Sequence, residues 1–258
     1  MKLTQFLAAS ALLLGCAHAS AGVITDVGPA GYWGGDAHGY GDVIGGTMFD
    51  ISGATLSMSG SILTIKIATS FAGYAGVDRW AGPNGIGYGD VFLASAWKPS
   101  GTDAHHAADN AAKGTRWSYG LALDNRWSNT GGQFSLYELN GATNSKNILN
   151  TESFMTCAMG TQCYYRNGQA TAVKTTSSTV RNTGLTGAWS VDAGKALSFS
   201  IDVKGTALAR YDEMAMHWGE TCQNDVIEGI TDVPEPASLA LFAAGLAGLA
   251  LRRRKSVK

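Results

Sequence analysis

An all-β fold, an antiparallel β-sandwich of jelly-roll or lectin type, is what the sequence predicts between two apolar ends. Runs of β-branched and aromatic residues alternate with clusters of Gly, Asn, Ser and Thr, the pattern of short strands joined by turns rather than of βαβ units. Gly supplies 34 of the 258 residues and only 15% are charged, against about 25% in an average soluble domain, which excludes a coiled coil or a long-helix protein. With 45% apolar residues and seven Trp, Trp and Phe can fill the space between two packed sheets.

Residues 61–68 alternate apolar and polar over most of their length, as a half-buried strand does. Further strands are predicted at 90–96, 117–123, 133–139, 169–174, 197–203 and 214–218, the last followed by a turn at Asn224-Asp225. The single helical expectation is the Ala-rich stretch 103–113. No Pro/Ser-rich linker interrupts the region, so 22–232 is expected to be one domain.

Gly39-Tyr40-Gly41-Asp42-Val43 recurs as Gly87-Tyr88-Gly89-Asp90-Val91, and Asn224-Asp225-Val226-Ile227 is a looser echo. Two readings apply. Asp42, Asp90 and Asp225 are candidate oxygen ligands for a calcium ion approached by Gly-rich loops. Alternatively the repeat is a turn-into-strand device, Gly supplying positive φ and Asp bonding its own backbone. No cofactor other than calcium has any support in the sequence.

Enzyme chemistry has little. There is no Gly-x-Ser-x-Gly elbow, P-loop, dinucleotide fingerprint or HExxH, and the adjacent His105-His106 point in different directions. No catalytic residue is assigned, and the chain is expected not to be an enzyme. A formal net charge of −1, with no basic block outside the last seven residues, gives no electrostatic basis for nucleic-acid binding.

The two ends read as addresses. Residues 1–21 carry Lys2, an apolar run and then small residues, the layout of a secretory signal peptide, with Ala17-His18-Ala19 fitting the small-x-small cleavage pattern. A competing reading makes Leu13-Leu14-Gly15-Cys16 a lipobox with Cys16 as a lipidated N-terminus. Residues 233–258 hold Pro234-Glu235-Pro236, an apolar run from Ala237 to Leu251, and the basic stop Arg252-Arg253-Arg254-Lys255. Both prolines lack an N–H and favour extended neighbours, so the tripeptide forms an accessible strip. The apolar run is about 22 Å as a helix, short of the roughly 30 Å hydrocarbon core. The Arg-rich end decides for a short transmembrane helix, since arginines snorkel and a cytoplasmic basic end obeys the positive-inside rule.

This three-part C-terminus, paired with an N-terminal signal, resembles the PEP-CTERM sorting signal of Gram-negative bacteria. The resemblance implies recognition of Pro234-Glu235-Pro236 by exosortase, a membrane-embedded cysteine protease, transient anchoring in the inner membrane, and release to the cell surface or outside. It further implies exopolysaccharide as a partner, since such proteins commonly belong to bacteria that make it. Trp33-Gly34-Gly35, Trp80 and the run from His217-Trp218-Gly219 to Glu228 also look similar to other PEP-CTERM ectodomains. Three functions compete for the domain: a structural or adhesive matrix protein, a calcium-dependent carbohydrate-binding module, and a polysaccharide-acting enzyme.

Export places Cys157, Cys163 and Cys222 in an oxidising compartment. Cys157 and Cys163 flank Gly160 and can close a hairpin loop as a disulfide; Cys222 is then odd, although its pairing with either remains open. Removal of Lys2 and of the basic tail, if the cut follows Glu235, leaves thirteen basic against twenty acidic residues, a net charge of −7 on the exported domain.

Overall fold

The computed structural model describes residues 21–26, 48–79, 81–100, 113–141, 143–156 and 168–233. Twelve strands account for about half of them: β1 Gly22–Thr25, β2 Ile51–Ser59, β3 Ile62–Thr69, β4 Val91–Ala94, β5 Tyr119–Leu123, β6 Gly131–Leu139, β7 Ile148–Asn150, β8 Ala170–Val173, β9 Val180–Asp192, β10 Ala196–Asp202, β11 Glu213–Gly219 and β12 Val226–Asp232. One helical turn, α1 Asn144–Asn147, and two short 3-10 turns complete the described elements. The all-β antiparallel expectation holds. Its two-sheet form is replaced by one ten-stranded sheet in the order β1-β2-β3-β10-β9-β6-β5-β4-β11-β12, with β7 and β8 forming a separate ribbon.

The large sheet curls until its ends meet. A Cβ built on Gly22 of β1 would lie 2.0 Å from the Asp232 backbone oxygen of β12, and one on Gly229 of β12 would lie 2.8 Å from the Ile24 side chain. Gly22 is therefore required by close backbone approach rather than by a turn. Near-closure leaves few exposed edge groups, the usual liability of open sheets.

Burial follows from that curvature. β3 has one face to the interior and one to solvent, so Leu63, Ile65, Ile67 and Thr69 are buried while Ile62, Thr64 and Lys66 are exposed. β4, β5 and most of β11 are buried on both faces. Their inward side chains join the barrel core, which includes Leu93, Leu121, Met214 and Met216. Their outward side chains, among them Phe92, Ala122 and Ala215, pack with Ile148, Ala170 and Val173 of the ribbon in a second cluster. That double burial explains the unbroken apolar runs of β4 and β5, and the apolar character of β11 around His217. Through the barrel interior the rings of Phe49, Phe71, Tyr88, Trp189 and Phe199 form a continuous series, with neighbouring centroids 5.4 to 6.2 Å apart.

Among the described residues no helix is long and apolar enough to cross a membrane. The stretch 103–113, apart from Lys113, lies outside the described residues, as do both address segments up to Ser20 and from Pro234.

Candidate metal-binding carboxylates and the buried polar end of the barrel

Antiparallel register brings the end of β1 and the starts of β2, β4 and β12 to one end of the barrel. Asp26 follows β1, Asp50 precedes β2 and Asp225 precedes β12, and one carboxylate oxygen from each lies within 4.8 Å of the others. Asp225 is fully buried, while Asp26 and Asp50 are half-buried. Asp225 is held from two sides: its Oδ2 accepts the Ile51 N–H at 2.6 Å and its Oδ1 accepts the Val226 N–H at 2.8 Å. Three oxygens with this spacing can share one Ca2+ at about 2.3–2.6 Å from each. Ionised and this close, the carboxylates repel one another, and a divalent cation offsets that repulsion.

The sequence singled out Asp42, Asp90 and Asp225 for this role. Only Asp225 joins the cluster; Asp42 lies outside the described residues. Asp90 is committed elsewhere. Its Oδ1 accepts the Leu123 N–H at 3.0 Å and a guanidinium N–H of Arg126 at 3.1 Å, and its Oδ2 accepts the Val173 N–H at 2.8 Å. Burial pushes the carboxyl up from its ordinary value, opposed by Arg126 and by those two backbone groups. Thus Gly87-Tyr88-Gly89-Asp90 is not the turn expected from the repeat: neither glycine has positive φ, Tyr88 forms a β-bridge with Glu220, and Asp90 bonds distant strands rather than its own backbone. Asp26 and Asp50 were missed because an acidic residue beside a strand is commonplace; only the fold brings the two together.

Two further arrangements escaped the sequence. His217 and Glu228 stand directly opposite in the β11–β12 register. His217 Nδ1 is 2.7 Å from Glu228 Oε2 and its Nε2 is 2.7 Å from the Ala170 carbonyl, so the ring ties both hairpin strands to the ribbon. Trp97 Nε1 donates to Glu228 Oε1 at 2.7 Å, and the rings of Phe92 and Trp117 lie beside the imidazole. With both ring nitrogens engaged, His217 acts as a structural clasp. The available signal was a His and a Glu placed symmetrically about Cys222-Gln223, between the two strands.

The second is around Tyr88, whose hydroxyl accepts the Gly73 N–H at 2.8 Å and donates to Asn129 Oδ1 at 3.1 Å. Asn129 also bonds both backbone groups of Ala75, fixing the exposed Tyr74 close to the half-buried Trp127 loop. Trp117, Trp189 and Trp218 are core residues. Trp33 and Trp80 lie outside the described residues.

Cys222 is a free thiol, 1% exposed, which burial pushes well above the ordinary value. Cys157 and Cys163 lie outside the described residues, as do Ala17, Ala19, Cys16, Pro234, Glu235, Pro236, Arg252, Arg253, Arg254 and Lys255, and the pair His105-His106.

No curated protein and no solved structure matches the chain. Residues 232–255 match the PEP-CTERM protein-sorting motif. The match begins at the last residue of β12, so the motif follows the barrel with no intervening linker. The chain therefore carries the PEP-CTERM sorting motif, which marks it as an exported protein processed by exosortase.

Proposed function

We propose that the barrel is a structural or adhesive component of an extracellular polysaccharide matrix, delivered there by exosortase processing and released as an acidic domain. The observation that carries this reading is the sorting motif at 232–255, set directly after the final strand of an ordered barrel. A near-closed sheet with most apolar residues buried suits persistence outside the cell. Glu235→Ala should leave a cell-associated, unprocessed form, and deletion of the chain should weaken the polysaccharide matrix. Unchanged release and mass in Glu235→Ala, or an unaltered matrix in the deletion strain, would count against the reading.

A second reading, calcium-dependent carbohydrate binding, is favoured by Asp26, Asp50 and Asp225. Tyr74 and Trp127 supply aromatic faces at the same end of the barrel. Calcium-dependent retention of the purified domain on the host polysaccharide supports it; retention unchanged by chelation removes it.

A further inference from the structure

The strand register fixes where the two addressed ends of the chain join the barrel. β12 runs from Asp225 towards Asp232, and β1 starts at Gly22 beside Asp232 and ends towards Asp26. Around the sheet, Asp202 of β10 and Glu213 of β11 lie at the Gly22 end, whereas the Asp192–Lys195 turn lies at the Asp225 end. Both the signal-peptide side and the sorting-motif side of the domain thus leave through one end, opposite the three carboxylates.

The tether at that end is short. Val233 is 2% exposed and its N–H donates to the Asp212 carbonyl at 2.8 Å, so the fold holds the chain up to Val233. The four residue steps from Val233 to Ala237, where the apolar run begins, span at most about 14 Å. The barrel is taller: the nine steps from Lys195 to Lys204, which flank β10, cover about 30 Å. The β10–β11 connection at the exit end carries Lys204, Arg210 and Asp212, and Glu213 and Asp232 are paired there, so this rim is mixed in charge. The tether, rather than attraction to headgroups, sets the orientation.

We infer that the anchored protein stands on the phospholipid surface by the Gly22/Asp232 end and presents the Asp26–Asp50–Asp225 end outward. The inference rests on the exosortase reading, in which the apolar run from Ala237 is held in the membrane until processing. Its consequence is that the carboxylate end meets ions and polysaccharide before release, while the processing enzyme meets only the opposite end.

The test uses the full chain in phospholipid vesicles, with a photo-reactive amino acid at Lys204 or at Lys195, both exposed turn positions. Lipid adducts should be severalfold more abundant from position 204 than from 195, with both variants melting as the parent does. Equal adducts, or more from 195, would overturn the orientation. Flotation of the chain with the vesicles is read separately: a chain that stays in the aqueous fraction overturns the anchoring itself and the inference with it.

Discussion

The Asp90 carboxylate and the Arg126 guanidinium, 3.1 Å apart and largely shielded from water, join four pieces of the fold at one point. Asp90 immediately precedes β4, Arg126 lies in the β5–β6 loop, and the same carboxylate takes N–H groups from the last residue of β5 and the last of β8. Arg126 also donates to the Tyr88 carbonyl at 2.9 Å and lies over the Phe154 ring. Removing the carboxylate leaves two buried N–H groups without their acceptor and a largely buried guanidinium without its counter-charge. Asp90→Ala should therefore cost about 3–5 kcal/mol, and a domain of this size should melt roughly 10 °C lower. The exposed Asp124→Ala should change stability by less than about 0.5 kcal/mol. Equal melting of the two variants would refute the role given to Asp90.

At the seam, Gly22→Ala places a methyl group where the Asp232 backbone oxygen now stands. Neither side can yield without shifting a strand, because β1 is paired to β2 and β12 to β11. Overpacking of this kind costs about 1–3 kcal/mol. Amide exchange should quicken in β1 and at the end of β12 and stay slow in β3, β10 and β9. Uniform protection across all five strands would mean that the seam is not a closure.

Strand by strand, legibility in the sequence tracked the burial pattern. β3 alternates, β4 and β5 are continuous apolar runs, and β11 is apolar from Met214 to Trp218 apart from His217, so all four stood out. β9 did not: Val180–Asp192 is rich in Thr, Asn and Gly, and only Trp189 is fully buried, so it reads as a loop although it pairs along both edges. β2 was hidden by the register shift at Gly53, which breaks its alternation near Ile51. Curling into one sheet was equally illegible, since it depends on contacts such as Gly22 with Asp232, over two hundred positions apart in the chain. Of the carboxylate site, Asp225 was visible as the end of a repeat, whereas Asp26 and Asp50 carry no local pattern.

Calcium supplies a direct test of that site. Sites in extracellular modules bind calcium at about 0.1–1 mM, so roughly 10 mM Ca2+ should stabilise the domain by about 1–3 kcal/mol over the chelated form. Asp26→Asn should abolish the increment. It is the better variant, because Asp225 also anchors the Ile51 and Val226 N–H groups and its loss would destabilise the barrel with or without metal. Identical thermal midpoints in chelator and in calcium would show that the carboxylates hold no ion.

Alkaline pH should unfold the protein through Cys222. Burial raises its thiol well above the ordinary 9.0, so the folded chain keeps the proton where the unfolded chain gives it up. The sign follows from linkage: the favourable contribution is complete below about 9 and is lost as pH rises towards the raised folded value, at up to about 1.4 kcal/mol per pH unit. Tyr88 and Tyr119, also raised by burial from 10.0, add to the same trend at higher pH. Denaturant midpoints should fall between pH 8 and 10, and the fall should be shallower in Cys222→Ala even though that variant starts lower. The same burial predicts that iodoacetamide leaves Cys222 unmodified at pH 8 until denaturant is added. Prompt alkylation of the native domain at Cys222, with the barrel still folded, would place the thiol at the surface and remove the basis for the pH effect.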